Sequence, residues 1–181
     1  LLRPNSSDAT NDSRGDEQPR KRRRVDRSLN RLRLKLKSAN DDILQTALQV
    51  ASFIAGNGML LSEDMRLILE DVSQFTNHKN PAVASWALIA CGACLILSSA
   101  STNMIDTWTQ VWHIAVRAIS LPATCRAACF VVHAIVETDV LPYHVLSEEV
   151  NSIIATADVN GPAVLCDSSL SLMFHLFHVR N

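Results

Sequence analysis

Residues 80–97, NPAVASWALIACGACLIL, decide the fold that this sequence predicts. Asn80 can cap a helix, and Pro81 suits the first helical position, where its missing N–H leaves no bond unmade. The residues that follow, Ala82 to Leu97, carry no charge, and Ser85 is the polar exception among them. Because a helix that is apolar on every side must be buried on every side, we expect it at the centre of a layered helical stack.

The same stretch could be read as a membrane span. It is shorter than the ~18–20 apolar residues that a bilayer requires. The nearest cations, Lys79 and Arg117, give no charge asymmetry that would orient a span. We therefore expect a buried helix and no membrane association.

Charge is divided unevenly along the chain, which has 181 residues and a net charge of −1. Residues 1–40 contain 12 of the 17 Lys and Arg residues against five acidic residues, whereas residues 41–181 contain five against 13. Residues 1–25 have almost no apolar side chain after Leu2, so we expect a disordered linker. Residues 26–181 are expected to form a helical array.

A run of five cations, PRKRRRV, lies in the predicted linker. It consists of Pro19, Arg20, Lys21, Arg22, Arg23, Arg24 and Val25. Such a run beside a proline on a flexible segment is typical of the signals that nuclear import adaptors bind in extended form. A solvated charge run and a nucleic-acid contact are the alternatives. Direct nucleic-acid binding ranks low, because the acidic array behind the arm would repel a phosphate backbone.

Apolar periodicity predicts a succession of helices from residue 26 onward. The predicted bounds are Asp26–Lys37, Asp41–Ala55, Glu63–Phe75, Pro81–Leu97, Met104–Ile119, Ala123–Glu137, Pro142–Ala157 and Ser168–Val179. The first segment also alternates like a strand, but no other convincing strand exists to pair with it. We expect Ser62 to cap the third helix and Gly56-Asn57-Gly58 to end the second.

The helices repeat at a regular spacing. Alternate helices start near Asp41, Pro81, Ala123 and Ser168, and a second helix lies between each start and the next. Three alanines recur at one constant interval and are expected to pack between repeats: Ala47, Ala87 and Ala127. Two helices in ~40–47 residues are typical of HEAT and armadillo arrays. We predict an all-α, HEAT/armadillo-like solenoid of about four helix pairs, truncated at the C-terminal end.

Two cysteine pairs raise the question of a metal site, Cys91 with Cys94 and Cys125 with Cys129. In the repeat frame the second pair maps about 120° or more around the helix from the first, so the pairs cannot converge. We expect no metal site. No glycine-rich phosphate loop, nucleophile elbow or kinase catalytic-loop motif is present, so we predict no catalytic residue and no cofactor in this chain.

Several short motifs resemble a known family. They are VASWALI at 83–89, WTQVW at 108–112, CRAAC at 125–129 and VNGPAVLCDSSLSL at 159–172, behind the PRKRRRV arm. Together they resemble the N-terminal helical solenoid of the fungal Tel/ATM serine/threonine protein kinases, over nearly the whole chain from Pro19. The last motif is the most specific of the set.

The resemblance implies a scaffold segment of a nuclear kinase that acts in the DNA-damage response and telomere maintenance. Its implied protein partners are the sensor complex at DNA ends and an import adaptor at the basic arm. ATP and magnesium are implied only for the kinase region of the parent protein, and a homodimeric parent is a further expectation. No catalytic residue can be carried over.

A stand-alone helical-repeat adaptor without a kinase is the alternative function. The first residue is Leu1, and the last residues, FHLFHVRN, stop inside an apolar helical pattern. We therefore expect a piece of a longer protein. The complete reading frame would separate the two functions.

Overall fold

A computed structural model describes the backbone of residues 17–97, 104–142 and 144–146. Within these ranges it describes the side chains from residue 26 onward, except that of Leu97. These residues contain six α-helices, a short helical stretch at 144–146, and no strand. The helices are α1 Glu17–Leu36, α2 Asp41–Gly56, α3 Ser62–Ser73, α4 Pro81–Leu97, α5 Ile105–Ile119 and α6 Cys125–Glu137. The all-α prediction is confirmed. The predicted Ser168–Val179 helix and most of Pro142–Ala157 lie outside the described residues.

Helix α1 begins well before the predicted boundary at residue 26. The expectation of a disordered linker is therefore wrong for residues 17–25, which are helical, and residues 1–16 lie outside the description. Arg and Lys are good helix formers, and Pro19 lies in the first turn, where proline is tolerated. The rest of α1 is anchored by Leu29, Leu32 and Leu36, which are buried.

Two asparagines at equivalent positions of successive repeats cap the two central helices. The Asn40 side-chain oxygen accepts hydrogen bonds from the backbone N–H groups of Asp42 (2.9 Å) and Ile43 (3.2 Å) at the start of α2. The Asn80 oxygen accepts one from Ala82 N at 3.0 Å, as expected for α4. The Asn80 amide also donates to Asp41 Oδ2 at 2.9 Å, which ties the start of α4 to the start of α2.

Helix α3 starts without the predicted cap. Leu61 occupies the capping position and makes no side-chain capping bond, and Met65 N donates to Leu61 O at 2.9 Å. Because the helical hydrogen bonds begin at Leu61, Ser62 is already inside the first turn and cannot cap it. Glu63 and Asp64 lie in that first turn, where their negative charge suits the helix dipole.

Helix α4 is the centre of the described core. It packs against α2 on one side and α6 on the other, with α3 beneath it. From Val83 to Leu95 all but three of its residues are buried, and the three are half-buried. Only the two ends are exposed, as shown by Ala82 and Ile96. The expectation that this uncharged helix is surrounded by other helices is met over its middle three turns.

The helices pair in the structure differently from the pairs that the repeat spacing predicted. The repeat spacing joins α2 to the following α3 and α4 to the following α5. In the structure α3 packs far more extensively against α4 than against α2, and α5 far more against α6 than against α4. The layers are therefore α1–α2, α3–α4 and α5–α6, with α2, α4 and α6 in one row. A repeat length alone cannot tell which neighbour a helix packs on, so this pairing was wrong.

Among the described residues, no helix is both long enough and apolar enough to cross a bilayer.

Replacing Asn80 with alanine should destabilise the fold by about 1–2 kcal/mol, because the change removes both the α4 cap and the bond to Asp41. Urea unfolding followed by circular dichroism measures the loss. Asn77→Ala, an exposed asparagine in the same turn, is the control and should change stability by less than about 0.5 kcal/mol. Equal effects of the two changes would show that the cap contributes nothing.

Candidate docking surfaces

The basic motif Pro19–Val25 occupies the first half of α1 and has a helical backbone. A motif bound in extended form would have to unwind these first turns. The second half of α1, which is held by its buried leucines, does not need to change. The structure therefore places the motif on the first turns of α1, whereas the sequence predicted a flexible segment.

A polar groove of about 650 Å³ lies between residues 76–84, which include the α3–α4 turn, and residues 106–124 of α5 and the turn after it. Its charged side chains are Lys79, Arg117 and Asp106, all exposed. His78 and His113 are half-buried beside them. With neutral histidines the groove carries one net positive charge, and the N-terminus of α4 adds a partial positive charge.

The turn that forms one wall of this groove is held by side-chain bonds. Asn80 N donates to His78 Nδ1 at 3.1 Å, and His78 Nε2 lies 3.9 Å from Asp41 Oδ1. Arg117 on the opposite wall donates from Nε to His113 O at 3.1 Å. These bonds hold the backbone that carries Lys79 and Arg117 in one conformation, as a docking surface requires.

A second depression, the apolar groove, has a volume of about 550 Å³ and lies between residues 28–35 of α1 and residues 42–50 of α2. Ile43 and Val50 line its floor and are 39% and 43% exposed. Arg31 and Lys35 stand on the α1 wall. An exposed apolar patch rimmed by polar groups is typical of a contact surface.

The three repeat alanines are all buried: Ala47, Ala87 and Ala127 are 4%, 0% and 5% exposed. They belong to α2, α4 and α6, which form the central row. That each alanine packs between layers stays a prediction, and the Ala87→Leu substitution argued in the Discussion tests it.

Cys91, Cys94, Cys125 and Cys129 are buried and are not joined in disulfides. Within the described ranges, no three His, Cys, Asp or Glu side chains come together as a metal site would need. Burial raises the pKa of Cys91 well above its usual range, with a smaller contribution from Cys94, and raises the pKa of Cys94 to about 12. Both thiols are therefore protonated at neutral pH.

These two thiols should make stability depend on alkaline pH. A pKa that is higher in the folded state than in the unfolded state contributes stability that is present below the unfolded pKa and is lost as pH rises toward the folded pKa. Between about pH 9 and pH 12 each thiol should lower the free energy of unfolding by up to about 1.4 kcal/mol per pH unit. Urea unfolding at stepped pH measures the slope. Cys94→Ala should make it shallower, and an unchanged slope would contradict the assignment.

Sequence reasoning missed one contact that joins α1 to the array. Arg33 on α1 bonds to Asp71 on α3 through two nitrogens, with Nε to Oδ2 at 2.5 Å and a guanidinium nitrogen to Oδ1 at 3.4 Å. The hydrogen bond and charge of Asp71 raise the pKa of Arg33. No local spacing predicts this pair, since the two residues lie on helices that are not consecutive in the chain. The Asn40 cap could have been found, because it stands one repeat before Asn80.

The fold and surfaces define a class of protein: a helical-repeat array whose described residues offer grooves for contact and no group of three side chains that could hold a metal ion. Residues 1–181 match the family described as the HEAT-repeat Tel1 spiral domain. The chain belongs to this family, and its resemblance to the N-terminal solenoid of the fungal Tel/ATM kinases is thereby confirmed.

Individual relatives agree with the family. The chain is 45% identical over 181 residues to the serine/threonine-protein kinase TEL1 of Gibberella zeae, covering 100% of this chain and 6% of that protein. It is 41% identical over 166 residues to the tel1 kinase of Neurospora crassa, covering 91% and 6%. A solved structure of the open conformation of CtTel1 matches with a TM-score of 0.72 and 38% identity, over 84% of this chain and 6% of that one. The chain thus spans about 6% of the length of these relatives.

Proposed function

We propose that this chain is a non-catalytic scaffold and partner-docking segment of a nuclear serine/threonine kinase that acts in the DNA-damage checkpoint and telomere maintenance. The observation that carries the proposal is the 45% identity, over all 181 residues, to a relative named as a TEL1 kinase. ATP and magnesium would bind elsewhere in the parent polypeptide. The described part of the fold would act as a spacer and a contact surface.

The polar groove is the surface that best suits a protein partner. Lys79 and Arg117 are exposed on opposite walls, and the side-chain bonds of His78 and Asn80 hold one wall in place. Charged groups around a groove steer a partner and fix its orientation. We assign this groove to a component of the sensor complex at DNA ends.

The test is a pair of charge reversals, Lys79→Glu with Arg117→Glu, in the full-length parent kinase expressed in its own host. Recruitment of the kinase to DNA breaks, scored by imaging, should fall severalfold, and damage-dependent phosphorylation should fall with it. Arg126→Glu on α6 is the control, because Arg126 is exposed and lies outside the groove. Phosphorylation of a short peptide by the purified kinase is measured alongside, to separate a docking defect from loss of the kinase.

Normal recruitment of the double variant would remove the groove from the docking surface. Loss of recruitment in Arg126→Glu as well would point to a general charge effect. If deleting the parent kinase has no effect on damage survival or telomere length, the assignment of the parent to these processes is wrong.

Nuclear localisation would depend on the basic motif, whose helical turns unwind when an import adaptor binds. Replacing Lys21, Arg22, Arg23 and Arg24 with alanine should lower the nuclear-to-cytoplasmic ratio of the full-length parent severalfold, measured by fluorescence. Replacing Arg27 and Lys37, which are exposed cations outside the motif, should leave the ratio unchanged. Normal accumulation of the first variant would show that the motif is not the import signal.

A further inference from the structure

One stripe of α2 is exposed although three of its four residues are apolar. The stripe consists of Ile43, Thr46, Val50 and Phe53, at the three- and four-residue spacing that places side chains on one helix face. Ile43 and Val50 are 39% and 43% exposed, and Phe53 is 64% exposed. We call these four residues the terminal stripe.

The repeat identifies the corresponding face one layer further along. Shifted by one repeat, as Asn40 is to Asn80, the terminal stripe corresponds to Val83, Trp86, Ala90 and Ala93 on α4. Val83 and Ala90 are fully buried, Ala93 is 8% exposed, and Trp86 is half-buried against the core. The same register is therefore covered in α4 and uncovered in α2.

Contacts of α4 show which neighbour covers that face. A Cβ placed on Gly56, the last residue of α2, would lie 4.0 Å from Ala93 Cβ. The face toward α6 is a different one: a Cβ on Gly92 would lie 2.6 Å from the Phe130 ring of α6, and Ser85 Oγ donates to Ala123 O, in the turn before α6, at 3.1 Å. The face equivalent to the terminal stripe is thus the one that receives the preceding helix of the row.

We propose that the terminal stripe and the apolar groove seat a further helix of the parent polypeptide, one layer before α1–α2, with carboxylates along its α1-facing edge. Continuity with the α2–α4 interface supports a helix in this position. Arg31 and Lys35 are cations on the wall of the apolar groove, and carboxylates on the incoming helix would complement their charge. The surface is then an internal joint of the array, not a site for a separate protein.

The proposal rests on the chain being part of a longer helical array, as its 6% share of the relatives' length allows. It does not rest on a checkpoint role. Its test measures burial and proximity in purified protein, whereas the proposed function is tested by recruitment and survival in cells. Failure of one leaves the other standing.

The first experiment measures burial of the stripe in the purified full-length parent kinase, without added partners. Val50→Cys and Ala82→Cys are made separately, since Ala82 is exposed outside both stripe and apolar groove. Maleimide labelling at each position is followed by mass spectrometry and is normalised to the rate in urea. Val50→Cys should label at least tenfold more slowly than Ala82→Cys.

The second experiment identifies the occupant by carbodiimide cross-linking, which joins a lysine to a carboxylate in direct contact. Lys35 should cross-link to an Asp or Glu upstream of residue 1 in the same polypeptide, and Lys35→Arg should abolish that product. Lys79, on the polar groove, is the control lysine and should give no upstream product. A preparation mixed from two isotopic labels separates links within one copy from links between copies.

Equal labelling of the two cysteines would overturn the proposal. So would a Lys35 link to a second copy or to another protein, or protection of Val50→Cys that develops only with rising protein concentration. Protection without any Lys35 link would overturn the acidic edge. Slow labelling together with an upstream link within one copy supports the whole proposal.

Discussion

Replacing Trp112 with alanine should lower the free energy of unfolding by about 3–5 kcal/mol, the largest loss that we expect from one substitution in the described residues. Trp112 lies on α5 and is fully buried. Removing the indole leaves a cavity that the packed α5–α6 layer cannot close by small shifts. Urea unfolding followed by circular dichroism gives the loss as a shift of the midpoint.

The indole nitrogen makes Trp112→Phe the informative comparison. Trp112 Nε1 is buried and has no hydrogen-bond partner among the described residues. Phenylalanine keeps one ring and removes the unpaired N–H, whose burial costs about 1–3 kcal/mol. The loss for Trp112→Phe should therefore be below about 2 kcal/mol, because the two effects oppose each other. A loss as large as that of Trp112→Ala would show that the N–H finds a partner in solution.

The positions of the helices follow closely from the sequence, and the reason is physical. Pro81–Leu97 was predicted with its observed bounds, because a cap and an N-terminal proline mark its start and its composition has no polar face to leave ambiguous. Helix α3 was placed within two residues at each end, but its cap was wrong. At that start three polar residues, Ser62 to Asp64, follow Leu61, and sequence alone does not tell which residue makes the first helical hydrogen bond.

Contacts between helices were harder to predict than the helices themselves. The repeat length fixes that helices alternate, but α3 has a neighbour on each side and only side-chain packing selects α4 over α2. The Arg33–Asp71 ion pair likewise depends on how α1 lies across α3. The polar groove forms where residues 76–84 meet residues 106–124, and the local sequence around its charged residues does not predict that meeting.

At the start of α1 the sequence predicted disorder, whereas the structure has a helix. A polar, cationic segment was assigned to disorder because it cannot bury apolar area. That argument overlooks the helix that continues from it: once Leu29, Leu32 and Leu36 are packed, each preceding residue adds to an existing helix and the cost of nucleation is not repeated. Residues 17–25 then need only good helix propensity, which Arg and Lys supply.

Replacing Ala87 with leucine should destabilise the fold by about 1–3 kcal/mol. Ala87 is fully buried in the middle of α4, which has α2 on one side, α6 on the other and α3 beneath. The added carbons gain burial, but the helix cannot move away from one neighbour without pressing on another, so strain outweighs that gain. Ala82→Leu on the same helix is the matched control, since Ala82 is exposed, and should change stability by less than about 0.5 kcal/mol.

The comparison of these two leucines separates packing from helix propensity, which is the same for both substitutions. A stack of layers requires the central position to respond and the exposed one not to. An unchanged unfolding midpoint for Ala87→Leu would mean that the space beside Ala87 is open, and α4 would then not be the close-packed centre on which the array depends. A loss confined to Ala87→Leu places the contact between layers at the alanine that recurs from one repeat to the next.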